Sequence, residues 1–446
     1  MKVFLAILLN KIITFTCRLF RFNGAQFPGS FVYNHIDKNI LDKIKHPKIT
    51  IAVTGSSGKG TTCNLIKNIL NDNNYSVLLN ESGNNGIGGA ISLILNNCTL
   101  SGKFKKDVLI LECDERYLKI IFKKWKPNYL VITNITRDQP TRNGTPEEVF
   151  KEICKAINND IHLIINADDP LVNRFIINHK GKISTYGLNK IKGDTKKNDL
   201  NNLDFAYCPI CNKKLEYDYY HYGHIGSYHC PNNDFKRGDL NYYGDKLDYR
   251  NSTFNILGKK IHLSSNALYM TYAYLASYAI CDLIGVDNNS IINSLNNIKD
   301  SKRGKSLSIK GRKLTMLESK NENNLSYFQS LNYIINQQHI KSIILGFDNI
   351  SRRYKTTDIS WLYDVDFELL NKDNNIDKIF CIGRFRYDVA TRLEYAGIDK
   401  NKIVLIDDLN NIIKTVDKKS HGDIYTMVCF DMTAIIRKKA LEYETN

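Results

Sequence analysis

The sequence predicts an α/β protein with two units built on parallel sheets, and two observations lead to this prediction. Short apolar runs of β type alternate with helical patterns from about residue 46, and a second series of such runs begins near residue 340. A glycine-rich stretch, VTGSSGKGTT at 53–62, also separates the first apolar run from a helical pattern. Such a turn can wrap backbone N–H groups and a lysine ammonium around phosphates. We therefore expect a phosphate-binding loop in the first unit.

The predicted strands of the first unit are five apolar runs. They are ITIAVTG (49–55), YSVLLN (75–80), DVLILEC (107–113), YLVITNI (129–135) and IHLIINA (161–167). The second unit has SIILGF (342–347), KIFCIG (378–383) and KIVLID (402–407) as strands, and RYDVATRLEYAG (386–397) as an amphipathic helix. This order predicts an N-terminal helix and lead-in at 1–45, a first domain at 46–300 with an insertion at about 205–238, and a second domain at 301–446.

The amino-acid composition limits the kinds of binding partner and the cellular compartment that we expect for the protein. The 446 residues include 62 Lys and Arg against 46 Asp and Glu, a formal charge of +16, which favours anionic partners such as nucleotides or acidic phospholipid. No basic run is interleaved with aromatic residues, so we expect no nucleic-acid partner. Eleven cysteines without regular spacing argue against a disulfide framework and predict a reducing, cytoplasmic compartment.

The first 22 residues mix aliphatic side chains with Lys2, Lys11, Arg18 and Arg21. Lys11 interrupts the apolar run and no small-residue cleavage site follows, which argues against a signal peptide. The run is also too short to span a bilayer. Two alternatives stay open: an amphipathic helix lying on an anionic membrane, which would make the protein peripheral at the inner face, or a helix packed against its own domain.

Polar side chains follow three of the predicted strands. They are Glu112, Asp114 and Glu115 after the third run, Asn134, Arg137, Asp138 and Gln139 after the fourth, and Asp168 and Asp169 after the fifth. The carboxyl ends of parallel strands form the ligand-binding edge of such sheets, and a carboxylate there can hold the Mg²⁺ that bridges ATP phosphates. The alternative is that these are solvated loop residues. The repetition of polar groups along one edge of the sheet makes this alternative less favoured.

A segment of the insertion carries spaced cysteines. Cys208 and Cys211 form a C-x2-C pair, but Cys230 is followed three residues later by Asn233. A structural zinc site takes four ligands, so the fourth would come from Asp234, His229 or water. The alternative is that the segment holds its shape without metal, by packing of its tyrosines. These are Tyr217, Tyr219, Tyr222 and Tyr228.

Two sets of motifs resemble known families. TGSSGKGTT, LECDE, TNITRDQ and NADDP, in this order, resemble the ATP-binding central domain of the Mur ligase superfamily. The cysteine segment, FNGAQFPG (22–29), DISWLYDVDFE (358–368), GRFRYDVATRLEYAG (383–397) and YTMVCFDMTAIIR (425–437) resemble the MurT family, the ligase subunits of glutamine-dependent lipid II isoglutaminyl synthases. Together these motifs cover nearly the whole chain.

The resemblance implies a two-protein enzyme. Its fold would be a Mur ligase-type central domain with a ribbon insertion, followed by a Rossmann-like α/β C-terminal domain. A separate GatD-type glutaminase would supply ammonia to this subunit. The subunit would use ATP to phosphorylate the α-carboxylate of D-glutamate in the stem peptide of lipid II, and ammonia would then displace the phosphate.

The resemblance also assigns site residues. ATP would be bound by Gly55, Ser56, Ser57, Gly58, Lys59, Gly60, Thr61 and Asn134. Magnesium would be held by Glu112 and Thr61, and zinc by Cys208, Cys211 and Cys230 with an open fourth ligand. The catalytic residue Asp358 would complete the Cys-His site of the glutaminase, with Asp364 and Asp366 as alternatives. Asp358 as the N-cap of a helix near Ser360 is the structural alternative.

The chain departs from the family pattern near the nucleotide. Gly60 stands where such loops carry a hydroxyl for Mg²⁺, and Met270 and Ala273 stand where relatives carry asparagines. These departures motivate a second hypothesis, a degenerate ligase that acts as a scaffold or activator of the glutaminase with weak or no ATP turnover. A third is an ATP-dependent ligase that adds glutamate without a partner.

Overall fold

The computed structural model describes residues 2–20, 22, 25–80, 86–139, 143–197, 206–248, 251–264, 268–298, 306–318, 323–347, 359–428 and 430–445. The chain forms two compact units. Unit 1 comprises the described residues of Met1–Ile135, Pro146–Asn198 and Phe205–Ile298, and unit 2 those of Thr136–Thr145 and Lys299–Asn446. The predicted boundary between the two domains, at residues 300 and 301, lies outside the described residues.

Unit 1 contains most of the helices and strands. Its strands are β1 (Ile49–Thr54), β2 (Val77–Leu79), β3 (Val108–Glu112), β4 (Tyr129–Ile132), β5 (His162–Asn166), β6 (Ile183–Leu188), β7 (Glu216–Tyr222), β8 (Ile225–His229), β9 (Tyr242–Asp248), β10 (Thr253–Ile256) and β11 (Lys259–His262). Its helices are α1 (Lys2–Leu19), α2 (Phe27–His35), α3 (Lys59–Asp72), α4 (Ile87–Asn96), α5 (Leu118–Lys124), α6 (Pro146–Ala156), α7 (Pro170–Asn173), α8 (Phe175–Asn178), α9 (Leu268–Ile284) and α10 (Asn288–Asn296). A 3-10 turn occupies Ile40–Lys43.

The main sheet of unit 1 is parallel at its centre. Among the described residues nine strands pair in the order β11-β10-β9-β6-β5-β4-β1-β3-β2. Every neighbouring pair from β2 to β9 is parallel, and β10 and β11 add antiparallel edge strands. Strands β3 and β4 flank β1, and β5 follows β4. The predicted parallel sheet is confirmed, and its polar strand ends lie side by side.

Both faces of this sheet are buried, which explains the continuous apolar runs of its strands. Ile51 and Val53 point to a core with α3, α9 and α10. Ala52, between them in sequence, points to a second core with α1, α2, α4 and α5. Because successive side chains of a strand alternate between faces, each strand contributes to both cores.

The helices α2 and α4 approach each other closely at two glycines. A Cβ atom built on Gly29 would lie 2.0 Å from the carbonyl oxygen of Gly88 and 2.5 Å from the backbone nitrogen of Ser92. A Cβ atom on Gly88 would lie 2.1 Å from Oγ of Ser30. Gly29 therefore requires glycine for space because it faces backbone atoms of α4, which gives the FNGAQFPG motif a physical role, whereas Gly88 faces a serine side chain that can rotate.

Unit 2 is a second α/β unit. Its strands are β12 (Ser306–Ile309), β13 (Arg312–Glu318), β14 (Lys341–Gly346), β15 (Ile376–Ile382), β16 (Ile403–Leu405) and β17 (Asp423–Val428), and its helices are α11 (Asn324–Ile335), α12 (Arg386–Tyr395), α13 (Ile412–Lys419) and α14 (Phe430–Thr445). Short 3-10 turns occupy Ser360–Asp364, Phe367–Lys372, Lys400–Lys402 and Leu409–Asn411.

The described strands of unit 2 pair in the order β12-β13-β17-β14-β15-β16 and are parallel except for β12 with β13. Helices α11 and α12 cover one face of the sheet, and α13 and α14 cover the other. Inside the unit, Nζ of the fully buried Lys341 lies 2.6 Å from Oδ2 of Asp373, so its charge is compensated. The predicted Rossmann-like architecture is confirmed.

Two further observations bear on the sequence predictions. In the part of the chain that the structure describes, no helix is long and apolar enough to cross a membrane. The ten cysteines among the described residues are free thiols.

We predict that Gly29→Ala destabilises unit 1. The added methyl group would meet backbone atoms of α4, which cannot move away as a flexible side chain can, so the helices must separate. Overpacking of this kind costs about 1–3 kcal/mol of unfolding free energy. Denaturant unfolding followed by circular dichroism measures the change.

Gly86→Ala is the matched control for this substitution. Gly86 precedes α4 with a φ of −97°, and a Cβ atom there meets nothing within 4 Å. We expect it to change the unfolding midpoint by only a small fraction of the Gly29→Ala effect. Equal effects of the two substitutions would contradict the close approach of α2 and α4.

Candidate functional site

The glycine-rich loop lies at the carboxyl end of β1, where the sequence predicts it. Gly55 has a φ of +125° and Gly58 a φ of +82°, so both adopt backbone conformations that favour glycine. A Cβ atom on Gly55 would also lie 2.2 Å from Oγ1 of Thr133. Helix α3 begins at Lys59, so its first backbone N–H groups open onto the loop. This strand-loop-helix arrangement is suited to binding an anion.

The end of β4 fixes the shape of the loop. The N–H of Ser57 donates to Oδ1 of Asn134 at 3.0 Å, and Nδ2 of Asn134 donates back to the Ser57 carbonyl at 3.2 Å. The N–H of Ser56 donates to the Asn134 carbonyl at 2.9 Å, and Oγ1 of Thr133 donates to the Ser57 carbonyl at 2.7 Å. The predicted ATP residue Asn134 therefore contacts the loop itself, and Thr133 is a loop contact that sequence analysis missed.

Lys59 reaches back across the loop. Its ammonium contacts the carbonyl oxygen of Gly55 and lies 2.9 Å from Oε1 of Glu115. The same Glu115 oxygen accepts a hydrogen bond from the N–H of Gly55 at 3.1 Å. Glu115 therefore ties the lysine and the first loop glycine together. It follows β3, one of the three predicted strand ends, and its link to Lys59 could not be read from the sequence because 56 positions separate them.

Glu112 faces the position where the loop lacks a hydroxyl. A Cβ atom built on Gly60 would lie 3.2 Å from Oε2 of Glu112. The backbone of Glu112 is fixed by Asn80, whose Nδ2 donates to the Glu112 carbonyl at 2.8 Å and whose Oδ1 accepts its N–H at 2.6 Å. Thr61 is one position further along α3 and is partly exposed. Asn80 is a second residue of this edge that sequence analysis missed.

Two thiols lie close to these carboxylates and stay protonated. Burial raises the pKa of Cys63, and the neighbouring Glu112 raises it further. Burial and then Glu112 likewise raise the pKa of Cys113. A thiol with a raised pKa is a poor nucleophile at neutral pH, so this edge of the sheet offers cations, carboxylates and backbone N–H groups rather than thiolate chemistry.

The strand end at β5 has a structural role. The side chains of Asp168 and Asp169 are fully buried, so the alternative of solvated loop residues is wrong for this pair. Asp169 accepts hydrogen bonds from the N–H of Ile135 at 2.8 Å and from the N–H of Leu171 at 2.9 Å, the second as the N-cap of α7. It therefore joins the segment after β4 to the segment after β5.

Asp168 fastens the insertion to the sheet. Its carboxylate accepts from Nη1 of Arg237 at 3.0 Å, the hydroxyl of Tyr272 at 2.8 Å and the N–H of Leu188 at 2.7 Å. A Cβ atom on Gly187 would lie 2.5 Å from Oδ1 of Asp168, so only glycine fits beside it. Arg237 lies at the end of the insertion and Tyr272 in α9, so one carboxylate holds three parts of unit 1.

A buried histidine extends this cluster. Nδ1 of His221, on β7, lies 2.7 Å from Oδ1 of Asp194, and Nε2 lies 3.2 Å from the Leu188 carbonyl and 3.7 Å from Oδ2 of Asp168. Burial lowers the pKa of Arg237, but the Asp168 carboxylate outweighs it, so the net shift is upward and the guanidinium stays charged. Burial raises the pKa of Tyr272, so its hydroxyl remains a donor.

The segment after Ile135 belongs to unit 2. Nη1 of Arg137 donates to Oδ2 of Asp364 at 2.8 Å, and Nδ2 of Asn323 donates to Oδ1 of Asp138 at 3.1 Å. Arg137 and Asp138 therefore have partners within unit 2. Asp358, the predicted catalytic residue, lies outside the described residues.

Two similar turns bring cysteines together in the insertion. The N–H of Cys208 donates to the Lys213 carbonyl and the N–H of Cys230 to the Phe235 carbonyl, both at 2.7 Å. Each of these two sulfur atoms also accepts the N–H of the residue two positions on, at 3.4 Å. The antiparallel hairpin of β7 and β8 lies between the turns in sequence, so the turns come from opposite ends of one ribbon.

The turns place four ligand atoms side by side. The sulfur atoms of Cys208, Cys211 and Cys230 and a carboxylate oxygen of Asp234 all lie within 4.8 Å of one another. Asn233, which replaces the expected cysteine, has a φ of +59°, and the next residue supplies the carboxylate. Three thiols and one carboxylate suit zinc by ligand type and number.

His229 and the tyrosines take different places around the cysteine turns. His229 lies 3.5 Å from Oε2 of Glu216 and 3.6 Å from Oδ1 of Asp218, so it is directed to the hairpin rather than to the sulfur atoms. Aromatic packing is present beside the cysteines. The ring centroid of Tyr217 lies 4.0 Å from that of Tyr220 and 5.6 Å from that of Tyr228.

The two positions that depart from the asparagine pattern lie inside the protein. Met270 and Ala273 are buried in α9 and belong to the core between this helix and the sheet.

Comparisons with known proteins agree along the length of the chain. Residues 53–232 match the Mur ligase middle domain, and residues 321–434 match the MurT ligase C-terminal domain.

The MurT subunit of the lipid II isoglutaminyl synthase (glutamine-hydrolyzing) of Staphylococcus aureus (strain COL) is 30% identical over 423 residues, which span 94% of each chain. The subunit of the same name from Streptococcus pneumoniae (strain ATCC BAA-255 / R6) is 28% identical over 434 residues, 94% of this chain and 92% of that one. The solved pseudomurein peptide ligase type C of Methanothermus fervidus shares the fold, with a TM-score of 0.70 and 19% identity over 91% of this chain and 81% of that chain.

We predict that Asp168→Asn strongly destabilises unit 1. Asparagine keeps the size of the fully buried side chain but leaves the partly buried Arg237 without its counter-charge. Breaking one partner of a buried ion pair costs about 3 kcal/mol or more of unfolding free energy. Thermal unfolding and the rate of proteolysis within 206–238 measure the effect, and we expect a lower midpoint and faster cleavage.

Asp218→Asn is the matched control, because the Asp218 side chain is 54% exposed on the same insertion. We expect it to change the unfolding free energy by less than about 0.5 kcal/mol. If Asp168→Asn were as mild as Asp218→Asn, Asp168 would not hold the insertion.

Proposed function

The chain belongs to the MurT family of Mur ligase-type subunits, and we propose that it activates the α-carboxylate of D-glutamate in the stem peptide of lipid II for amidation. It would act in peptidoglycan synthesis as one subunit of a heterodimer. The names of the S. aureus and S. pneumoniae relatives, subunits of a glutamine-hydrolyzing lipid II isoglutaminyl synthase, support this proposal. The observation on which it chiefly rests is the phosphate loop, with Lys59 held across it and Glu112 facing position 60.

The proposed reaction has two steps. A carboxylate oxygen of D-glutamate attacks the γ-phosphorus of ATP, the bond to the bridging oxygen breaks, and ADP leaves with that electron pair. Ammonia then attacks the acyl carbon, inorganic phosphate leaves, and a proton is lost to give the α-amide, D-isoglutamine. The first step converts a poor electrophile into one with a good leaving group.

Each loop residue has a proposed role in the first step. The backbone N–H groups of Gly58–Thr61 would bind the phosphates, because those of Gly55, Ser56 and Ser57 already donate to Glu115 and Asn134. The Lys59 ammonium would offset charge on the transferred phosphoryl group. Asn134 would act by holding Ser57 in place. Glu112 and Thr61 are the proposed magnesium ligands, and the ion, when bound, would bridge phosphate oxygens and neutralise charge. Glu112 is the better supported of the two because it faces position 60.

The partner is proposed to be a GatD-type glutaminase, because the subunit names of the relatives imply a complex. Asp358 in DISW remains the residue proposed to complete the partner's Cys-His site. Asp364 is a weaker alternative, since its carboxylate is already paired with Arg137. Asp366 stays an open alternative. A lipid-linked substrate would bring the complex to the inner face of the membrane.

We predict that Lys59→Met abolishes ligase activity without unfolding the chain. The test measures ADP release by the complex of this chain with its glutaminase subunit, supplied with lipid II and either glutamine or ammonium. The wild-type complex should consume ATP only when both lipid II and a nitrogen source are present. Removing the ammonium from the loop should lower turnover by about 100-fold or more.

Lys119→Met, at an exposed position of α5, is the matched control and should keep wild-type turnover. A thermal-shift measurement with ATP and Mg²⁺ distinguishes an active ligase from the alternative of a degenerate scaffold. If the site binds ATP, the unfolding free energy should rise by about 2.7 kcal/mol at ATP concentrations 100 times the dissociation constant. A folded complex that neither binds ATP nor consumes it would refute the ligase proposal and favour the scaffold, which Gly60 motivates.

We also propose that the insertion binds one zinc ion through Cys208, Cys211, Cys230 and Asp234. Asp234 would be the fourth ligand that the sequence left open, because its carboxylate lies with the sulfur atoms while His229 is directed to Glu216. Zinc, when bound, would crosslink the two turns and stabilise the ribbon.

We predict that the purified chain contains about one zinc ion, measured by elemental analysis. Cys211→Ser should lose the metal, and Asp234→Ala should release it at lower chelator concentration than the wild type. Asp234→Cys should hold it more tightly. His229→Ala is the control and should leave the zinc content unchanged. A metal-free wild-type chain, or loss of zinc in His229→Ala, would contradict this ligand set.

A further inference from the structure

Helix α1 carries its large apolar side chains on the outside of unit 1. Phe15 and Leu19 are each 67% exposed, and Phe4 and Ile12 are about half exposed. In a surface helix of a water-soluble domain the apolar stripe normally faces the core. The large apolar side chains of α1 therefore face away from unit 1, which is not expected of a helix that only packs against its own domain.

The inner face of the same helix is small and partly polar. Its buried residues are Ala6, Ile7, Asn10 and Thr14. Nδ2 of Asn10 donates to the Ser92 carbonyl at 3.2 Å and to Oδ1 of Asn96 at 3.0 Å, and Nδ2 of Asn96 donates to Oγ1 of Thr14 at 3.1 Å. These hydrogen bonds fix the rotation of α1 about its axis, so the outward direction of the apolar stripe is set by the fold.

The outer residues form one continuous stripe. At about 100° per residue, the exposed Phe4, Ile12, Phe15 and Leu19 and the half-buried Leu8 fall within an arc of about 80° along a helix about 27 Å long. Phe20, Phe22 and Phe27, which follow in the chain, are also exposed. A stripe of this length and width exceeds the scattered single apolar residues that protein surfaces normally carry.

Basic residues border the stripe, and no acidic residue lies near it in sequence. Lys11 and Arg18 fall on one side of the arc and Lys2 on the other. Nζ of Lys11 also donates to the Cys98 carbonyl at 2.9 Å, which holds it at the edge of the stripe. The first 36 residues contain four Lys and Arg and no Asp or Glu. An apolar face with a basic border suits the surface of an anionic membrane, where the apolar face can contact acyl chains and the basic residues can contact negatively charged headgroups.

We propose that α1 lies flat on an anionic phospholipid surface, with the stripe of Phe4, Leu8, Ile12, Phe15 and Leu19 in the boundary between headgroups and acyl chains. Helix α1 is not long and apolar enough to cross the membrane, which fits a helix that rests in the interface. The contact depends on the helix alone and stands whether or not the chain acts on a lipid-linked substrate.

Charge favours this occupant over a second copy of the chain. Two copies meeting through α1 would bring Lys2, Lys11 and Arg18 of each near those of the other, with no acidic residue of the helix to compensate. Phospholipid headgroups such as phosphatidylglycerol supply the opposite charge over the whole length of the helix.

The test is flotation of the full chain, in complex with its partner subunit, with vesicles. Vesicles of phosphatidylcholine alone are compared with vesicles of phosphatidylcholine and phosphatidylglycerol. We expect at least about tenfold tighter binding to the anionic vesicles at low salt, with binding that weakens as salt is raised. Replacing Lys2 and Arg18 by glutamine should weaken binding about fivefold for each charge.

Variants locate the contact on α1. Phe15→Gln with Leu19→Gln should lower vesicle binding more than tenfold and leave the ATP turnover measured with a water-soluble substrate analogue unchanged. The matched control is Ile120→Gln with Leu441→Gln, since these residues are 42% and 52% exposed on α5 and α14. This pair should bind vesicles as the wild type does. Circular dichroism and thermal unfolding confirm that each variant is folded.

Three results would overturn the proposal. In the first, the wild-type chain does not bind anionic vesicles. In the second, the α1 variant and its control lose vesicle binding equally. In the third, the α1 variant removes self-association of the chain while its vesicle binding persists. The last result would assign the stripe to a second copy. Failure of ATP turnover alone would count against the proposed reaction and not against the membrane contact.

Discussion

The buried carboxylate of Asp168 is the constraint on which the arrangement of unit 1 depends. An ionised group removed from water costs several kcal/mol unless charge and hydrogen bonds compensate it. Here Arg237, Tyr272 and the N–H of Leu188 supply that compensation, and they belong to the insertion, to α9 and to β6. The carboxylate is satisfied only when these three segments come together, so one residue at the end of β5 couples the insertion to the sheet.

This coupling also bears on the cluster of cysteines in the insertion. The turns of Cys208 and Cys230 lie at opposite ends of one ribbon, and the ribbon contains His221 and ends near Arg237. The cluster around Asp168 holds the ribbon through His221 and Arg237, and the four candidate ligand atoms lie together where its two turns meet. Two independent sets of polar contacts thus shape a segment with a small apolar core of its own. Its buried residues are Cys208, Leu215, Tyr228, Cys230 and Phe235.

The sequence predicted what depends on local pattern. Apolar runs located β1–β5 and β14–β16, most of which are buried, and the loop was found because it needs glycine at fixed positions. The strands β6, β9–β13 and β17 were not predicted. Contacts between distant residues could not be predicted in this way. Lys59 and Glu115 are 56 positions apart, and Asp168 and Tyr272 are 104 apart, so only the folded chain brings them together. Asp234 stood among the sequence candidates, and the left-handed backbone of Asn233 is what places it with the sulfur atoms.

The departures from the family pattern separate into two physical kinds once the fold is known. Met270 and Ala273 are buried in α9, where side-chain volume and packing decide which residues fit. Gly60 is different, because its missing side chain faces the Glu112 carboxylate. A hydroxyl lost there removes one oxygen from a prospective magnesium site and leaves the carboxylate, held in place through Asn80. Magnesium retains several waters in protein sites, so at the proposed site a water could replace that hydroxyl, and Glu112 would remain as a ligand beside the loop. Gly60 therefore supports a degenerate site less strongly than its place in the motif suggests.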